Sequence, residues 1–337
     1  MDDEVDDARP VNVYALADLV TPFSVRVVAT LGIADLLREA PLPVAELARR
    51  CGAVPEVLAR VLHHLVLRGL FAEPSSGVFA MNAAAEELTG DHPGALRDWL
   101  DLDGGLGRAD VAISRLLSTV RDGSNAYSTE FGRPFHEDLG RDDGFRASFN
   151  TVMAAKTREM AAHIIACYDW REVRHVADVG GGTGILLGEI MRARPHIRGT
   201  LIDLPETVDE ATRYLKELGL DRWEIHGMTF FDPLPAGADV YVVYDVLEDW
   251  DDEHAERLLI RCAEAAGNSG RVLIIQPFPV NAAYERRCSE LDLRLLTYTN
   301  GRMRTEREIG ELVRRAGLRM KDVIPVAASH AIVECVP

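Results

Sequence analysis

With 337 residues, 47% of them hydrophobic and 27% charged, the chain has room for two domains with buried cores, which excludes a wholly disordered protein. A formal net charge of −17 sets up a field that repels nucleic acid and anionic membrane surfaces, so neither is an expected partner. The acidic start MDDEVDDARP lacks a basic stretch followed by an apolar core, so no signal peptide is expected, and no apolar run of about 18 residues stands out as a membrane span. Five scattered cysteines without a C-x-x-C pair point to reduced thiols in the cytoplasm and away from a cysteine zinc site.

Residues 1–100 read as a helical domain. In LADLVTPFSVRVVATLGIADLLREA, from Leu16 to Ala40, apolar side chains recur at helical spacing, punctuated by Pro22 and Gly32. VAELARRCGA and PEVLARVLHHLVLRGL form a helix–turn–helix pair, and FAEPSSGVFAM follows as a hairpin about Ser75, Ser76 and Gly77. This is a winged-helix outline, but its second helix sets Arg60 and Arg68 among mostly apolar neighbours, so packing or dimerisation is expected of it rather than DNA reading. Residues 101–170 continue the helical patterning as a linker. From 171 to 337, the β-rich runs HVADVG, GTLID, DVYVVYD and RVLIIQ alternate with the helical segments GILLGEIMRARP, PETVDEATRYLKELG and DDEHAERLLIRCAEAAG. That alternation predicts an α/β fold with a parallel sheet covered on both faces. TEREIGELVRRAG adds a helix, and MKDVIPV and HAIVECV read as closing antiparallel strands.

The run DVGGGTGILLGEI goes from strand through glycine into helix, with Gly180, Gly182 and Gly184 as G-x-G-x-G. A dinucleotide fingerprint needs glycine at 185, where Ile185 stands, which argues against NAD or FAD. Asp203 closes the next strand, where a carboxylate accepts two hydrogen bonds from a ribose diol. Together they point to a nucleoside ligand.

DVGGGTG, GTLIDLPETV, FFDPLPAGADVY, VLEDWDDEHAERLL, GRVLII and DLRLLTYTNGRMRTERE occur in that order. The series resembles the S-adenosylmethionine-dependent small-molecule O-methyltransferases of actinobacterial natural-product pathways, related to the plant phenolic O-methyltransferases. The likeness spans nearly the whole chain. It implies a Rossmann-like, seven-stranded methyltransferase sheet, an N-terminal winged-helix dimerisation domain, a homodimer, and a small aromatic or polyketide-like substrate. On the resemblance, Gly180, Gly182 and Gly184 approach the methionine part of S-adenosylmethionine, Asp203 holds its ribose, and Leu204, Thr229 and Phe230 border its adenine. Tyr244 and Trp250 complete that site. Phe149, Asn150, Met153, Tyr298, Asn300 and Met303 are the implied substrate contacts.

The resemblance fails at its catalytic position. The family usually reads V-L-H-D-W, with the histidine as base; here the stretch is VLEDW, with Glu248 in that place and Asp249 and Trp250 retained. Met303, Gln276 and His136 also depart from residues common in the family. A phenol of pKa about 10 lies roughly 5.7 units above an ordinary glutamate, about 8 kcal/mol, against about 5 kcal/mol for histidine. Glu248 is therefore a competent base if burial and neighbouring carboxylates raise its pKa, or if the acceptor is already acidic, or if it holds an amine instead. Glu248, Asp249 and His136 are the catalytic candidates. A mononuclear metal set of His136, Asp245, Glu248 and Glu290 has no tight ligand spacing behind it, and no metal is expected. The altered pair also leaves open a non-methylating reaction (hydroxylation, decarboxylation or pericyclic closure) on the same fold and cofactor.

Overall fold

The computed structural model describes residues 11–278, 282–327 and 329–337. The chain divides after Gly107 into two compact units. In the first, the helices Val44–Cys51 and Pro55–Leu67 are separated by Gly52, whose φ of 71° closes the first helix, and Pro55 opens the second. The hairpin Ala72–Ser75 and Val78–Ala80 follows and pairs with Leu42–Pro43. Leu47, Leu62, Leu65, Phe79, Ile33 and Leu37 are fully buried between these elements.

One reading from the sequence needs correcting. The window Val13–Thr30 is long and apolar enough, by length and composition, to cross a membrane. The chain breaks it into the helices Val13–Leu16 and Val20–Thr30, and Asp18 between them accepts the N–H of Val20 at 2.9 Å. A continuous apolar rod is thus interrupted at Asp18.

The second unit begins with short helices and then α1, Asp143–Cys167, capped by Asp142. The strands are β1 (His175–Val179), β2 (Arg198–Asp203), β3 (Trp223–Gly227), β4 (Val240–Tyr244), β5 (Arg271–Pro277), β6 (Arg319–Val326) and β7 (His330–Val336). The helices between them are α2 (Ile185–Ala193), α3 (Val208–Glu217), α4 (Asp252–Ala266), α5 (Ala282–Tyr298) and α6 (Glu306–Arg315). Among the described residues the sheet order is β3-β2-β1-β4-β5-β7-β6, with β1 to β5 parallel and β7 antiparallel to both its neighbours. Alternate β4 side chains feed opposite cores, Tyr241 and Val243 into one and Val240 and Val242 into the other, so the sheet is covered on both faces. The strand order reverses between β1 and β4. The crevice outside their carboxyl ends is where an open α/β sheet takes its ligand.

Candidate active site

Beyond β1 the chain turns through Gly180, Gly182 and Gly184 at φ of 74°, 55° and 77°, values that only glycine adopts cheaply. A Cβ on Gly180 would lie 2.7 Å from Val246 Cγ2, in the turn after β4, whereas one on Gly182 would meet nothing within 4 Å. Gly180 therefore lets the two turns close on each other, and Gly182 leaves room for a ligand against the backbone. At the end of β2, Asp203 Oδ2 accepts from the Gly182 N–H at 2.7 Å and Oδ1 from the Leu204 N–H at 2.7 Å. Each oxygen keeps a lone pair, which is what a diol requires. Burial raises the pKa of Asp203, and the two N–H donors oppose it.

Aromatic rings stand beside this turn. Phe230 lies beside the Gly180 position, and Trp250 meets Phe230 edge-on at 5.9 Å and Phe231 at 4.8 Å. Thr229 Oγ1 accepts the Phe231 N–H at 3.3 Å, and Leu204 is exposed. The His136 ring stacks on Trp250 at 5.4 Å and 16° and tilts against Phe135. Burial depresses its pKa to about 4 and its Nε2 has no hydrogen-bond partner, so His136 is a neutral ring packed on aromatics.

Glu248 lies in the 3-10 turn Leu247–Asp249 and is 4% exposed. Its Oε2 has no hydrogen-bond partner, and burial followed by the charges of Asp245 and Asp249 raises its pKa well above the ordinary value. Asp249 belongs to this turn rather than to the helix start, where Asp251 is the cap of α4, and burial with Asp245 lifts it to about 7. Tyr244 ends β4 and is pushed up by burial and by Asp245. The loop after α5 clamps the turn from outside. The Arg302 N–H donates to the Glu248 carbonyl at 2.9 Å, and the buried Arg304 donates to the carbonyls of Leu247 at 3.1 Å and Trp250 at 2.7 Å. A Cβ on Gly301 would collide with the Glu248 carbonyl oxygen.

The remaining candidates scatter more. Phe149 and Met153 lie on α1, and Phe149 reaches Phe135 edge-on at 5.7 Å. Asn150 is turned to α3, donating to Glu210 Oε2 at 2.8 Å. Tyr298 is buried, donates to the Asp110 carboxylate and packs on Phe135 at 5.9 Å. Asn300 Oδ1 accepts from Asn125 at 3.0 Å, and Met303 is held by its N–H to Asp292 at 2.7 Å. Among the described residues no three His, Cys, Asp or Glu side chains converge as metal ligands; the set of His136, Asp245, Glu248 and Glu290 is not brought together, and Glu290 is exposed.

Lys156 and Asp178 escaped the reading of the sequence. Lys156 follows Phe149 and Met153 on one face of α1 at helical spacing; burial lowers its pKa while Asp245, Glu248 and Asp249 oppose. Its signal was a lone cation in the apolar run VMAAK. Asp178 sits on β1, 2% exposed, its Oδ2 unpartnered, and burial with the charge of Asp203 raises it to about 7. Its signal was a carboxylate inside the buried strand HVADV.

Known proteins resemble this chain over most of its length. Residues 113–319 match the model of the O-methyltransferase domain, and residues 14–91 that of the O-methyltransferase dimerisation domain. The chain is 41% identical over 321 residues to the 2,7-dihydroxy-5-methyl-1-naphthoate 7-O-methyltransferase of Streptomyces carzinostaticus, covering 95% of this chain and 96% of that one. It is 39% identical over 311 residues to aclacinomycin 10-hydroxylase RdmB of Streptomyces purpurascens, covering 90% and 83%. The crystal structure of an O-methyltransferase from neocarzinostatin biosynthesis, in complex with S-adenosylmethionine and 2-hydroxy-5-methyl naphthoic acid, superposes with a TM-score of 0.91 at 41% identity, covering 98% and 99%.

Proposed function

Because the chain belongs to the S-adenosylmethionine-dependent O-methyltransferase family, we propose that it methylates a hydroxyl group of a small aromatic, polyketide-like metabolite, with Glu248 taking the acceptor's proton. The naphthoate substrate of the Streptomyces carzinostaticus relative supports the acceptor class. S-adenosylmethionine, when bound, would supply an electrophilic methyl group on a sulfonium. The residues present fit that molecule: Gly182 leaves its backbone open, Asp203 keeps lone pairs for a diol, and Asp178 offers an unpartnered carboxyl oxygen to a cation. Gly180, Gly182, Gly184 and Asp203 would hold it, with Leu204, Thr229, Phe230, Tyr244 and Trp250 around it. The chain's own work is to orient the acceptor and exclude water.

The observation that carries the role of Glu248 is its burial between Asp245 and Asp249. An ordinary glutamate is too weak a base for a phenol; the raised pKa narrows the mismatch while the carboxyl stays in the crevice. Phe149 and Met153, on the α1 face that also carries Lys156, form one wall of the proposed acceptor site. The reading includes a homodimer built on residues 14–91 and a cytoplasmic reaction. In Glu248→Gln we expect turnover to fall about 100-fold or more, with S-adenosylmethionine affinity by calorimetry within a few-fold. Undiminished turnover would refute the base.

A second reading is kept open by the 39% identity to a hydroxylase. Product mass separates the two: a gain of one methylene is methylation, and a gain of oxygen is hydroxylation.

A further inference from the structure

We propose that His330 is the proton acceptor that empties Glu248, taking the proton shared by the Glu248 and Asp245 carboxyls on its Nε2 and releasing it by way of Ser329. The proposal rests on Glu248 being the base. It answers a difficulty within that reading, because a carboxyl buried among carboxyls keeps its proton and cannot accept a second.

The geometry is a chain of polar groups from three strand ends. Asp245 follows β4 in a left-handed conformation, φ 48°, and its N–H donates to the Ile275 carbonyl of β5 at 2.9 Å. That conformation is uncommon for aspartate. Asp245 Oδ1 stands 3.3 Å from His330 Nε2, on the first residue of β7, and both atoms are buried with no hydrogen-bond partner. His330 Nδ1 lies 2.8 Å from Ser329 Oγ. With Nδ1–H donating to that hydroxyl, the lone pair of Nε2 faces Asp245. On its other side Asp245 is a near neighbour of Glu248, whose pKa its charge raises.

The charged and titratable groups around this chain are few. Tyr244 at the end of β4 stands 6.2 Å from the His330 ring, and burial and the charge of Asp245 push its pKa up. Asp249 lies in the same turn as Glu248, and Lys156 of α1 faces all three carboxylates. From β5, Gln276 contributes a neutral amide, 1% exposed and with both polar atoms unpartnered. Among these, His330 is the group that places an unpartnered ring nitrogen against the Asp245 carboxyl.

The bookkeeping involves one proton and no change of oxidation state. It leaves the carboxyl pair and is bound by imidazole, giving an imidazolium–carboxylate pair between His330 and Asp245 and a free carboxylate on Glu248. The imidazole absent at position 248 is thereby supplied from position 330. His330 is a positioning residue in this scheme, setting the charge of Glu248 without touching the acceptor.

His330→Gln keeps hydrogen-bonding capacity and removes the titration. We expect the acidic limb of the pH–kcat profile to move up by about one unit, a roughly tenfold loss near neutral pH that is recovered at high pH, with S-adenosylmethionine affinity within a few-fold. In the cofactor-free protein, the infrared band of the protonated carboxyl should persist to higher pH than in the wild type. Asp245→Asn, whose asparagine tolerates the left-handed conformation, should abolish the coupling and serves as the second variant if His330→Gln does not fold. A profile and an infrared titration that superimpose on the wild type overturn the proposal. If Glu248→Gln is inactive while His330→Gln is unchanged, the relay fails and the base stands. If Glu248→Gln is fully active, the base itself fails.

Discussion

A carboxyl at Asp178 that titrates at about 7 holds a proton in the folded chain that an unfolded aspartate, at about 3.9, has already released. The sign of its linkage follows. Folding favours the protonated form, so the stability contributed by that proton is complete at low pH and is lost as pH rises through the folded value. Between pH 8 and pH 6 the cofactor-free protein should therefore gain about 1 kcal/mol from this group, some 2–4 °C in Tm. Asp178→Asn removes the titration, and the pH dependence of Tm should be correspondingly flatter in that variant; equal slopes in differential scanning calorimetry would show that Asp178 is not the source. At this scale the site was legible where its chemistry is contiguous in the chain. Gly180, Gly182, Gly184 and Asp203, which the structure brings together, stand out in the sequence because a turn and the next strand end are linked by one short βα unit. Asp178, Lys156 and His330 were not, because each matters through neighbours 25 or more residues away, and single-sequence spacing carries no trace of such meetings.

The element that holds Glu248 is short, a 3-10 turn of Leu247–Asp249, and it owes its position to a different segment. Arg304, 2% exposed, reaches the Leu247 and Trp250 carbonyls and pairs with Asp252 at 2.9 Å. Truncation to alanine strips two carbonyls of their donor, at about 1–3 kcal/mol each. Arg304→Ala should lower Tm by roughly 5–15 °C and disorder the turn, so that turnover falls further than the stability loss alone explains at a temperature where the variant is folded. Thermal melts alongside kcat at low temperature decide this; a cool, folded variant with wild-type kcat would mean the clamp is structural only. The sequence was less informative about such elements than about the sheet. β1, β2, β4 and β5 were read from apolar runs that both faces of the sheet demand. β3, WEIHG, does not stand out in the sequence, since an edge strand with two of its five side chains exposed and none buried shows no such run. Helix α5 was likewise passed over, because charges interleave its apolar positions in YERRCSELDLRLL.

At the scale of the whole molecule, the net charge of −17 keeps copies apart, yet the first unit presents large apolar side chains to solvent. Tyr14 is 89% exposed, Leu16 77% and Leu19 68%, all within the stretch matched by the dimerisation-domain model. An apolar groove lined by Val27, Leu31, Val54, Val57 and Val61 runs between the helices Val20–Thr30 and Pro55–Leu67. Monomeric proteins seldom leave contiguous apolar surface of this kind bare, and the same feature explains why Val13–Thr30 passes for a membrane span by composition. The proposed homodimer would reconcile the two: it would bury these apolar side chains between copies, while the acidic surface opposes further association. Tyr14→Glu combined with Leu16→Glu places charge in that contact. We expect the pair to raise the dimer dissociation constant by about 30-fold or more, roughly 2 kcal/mol, seen in sedimentation velocity as a shift toward monomer, while the circular dichroism of the chain is unchanged. Wild type sedimenting as a monomer at every concentration, or a double variant that dimerises as tightly as wild type, would place the contact elsewhere or remove it.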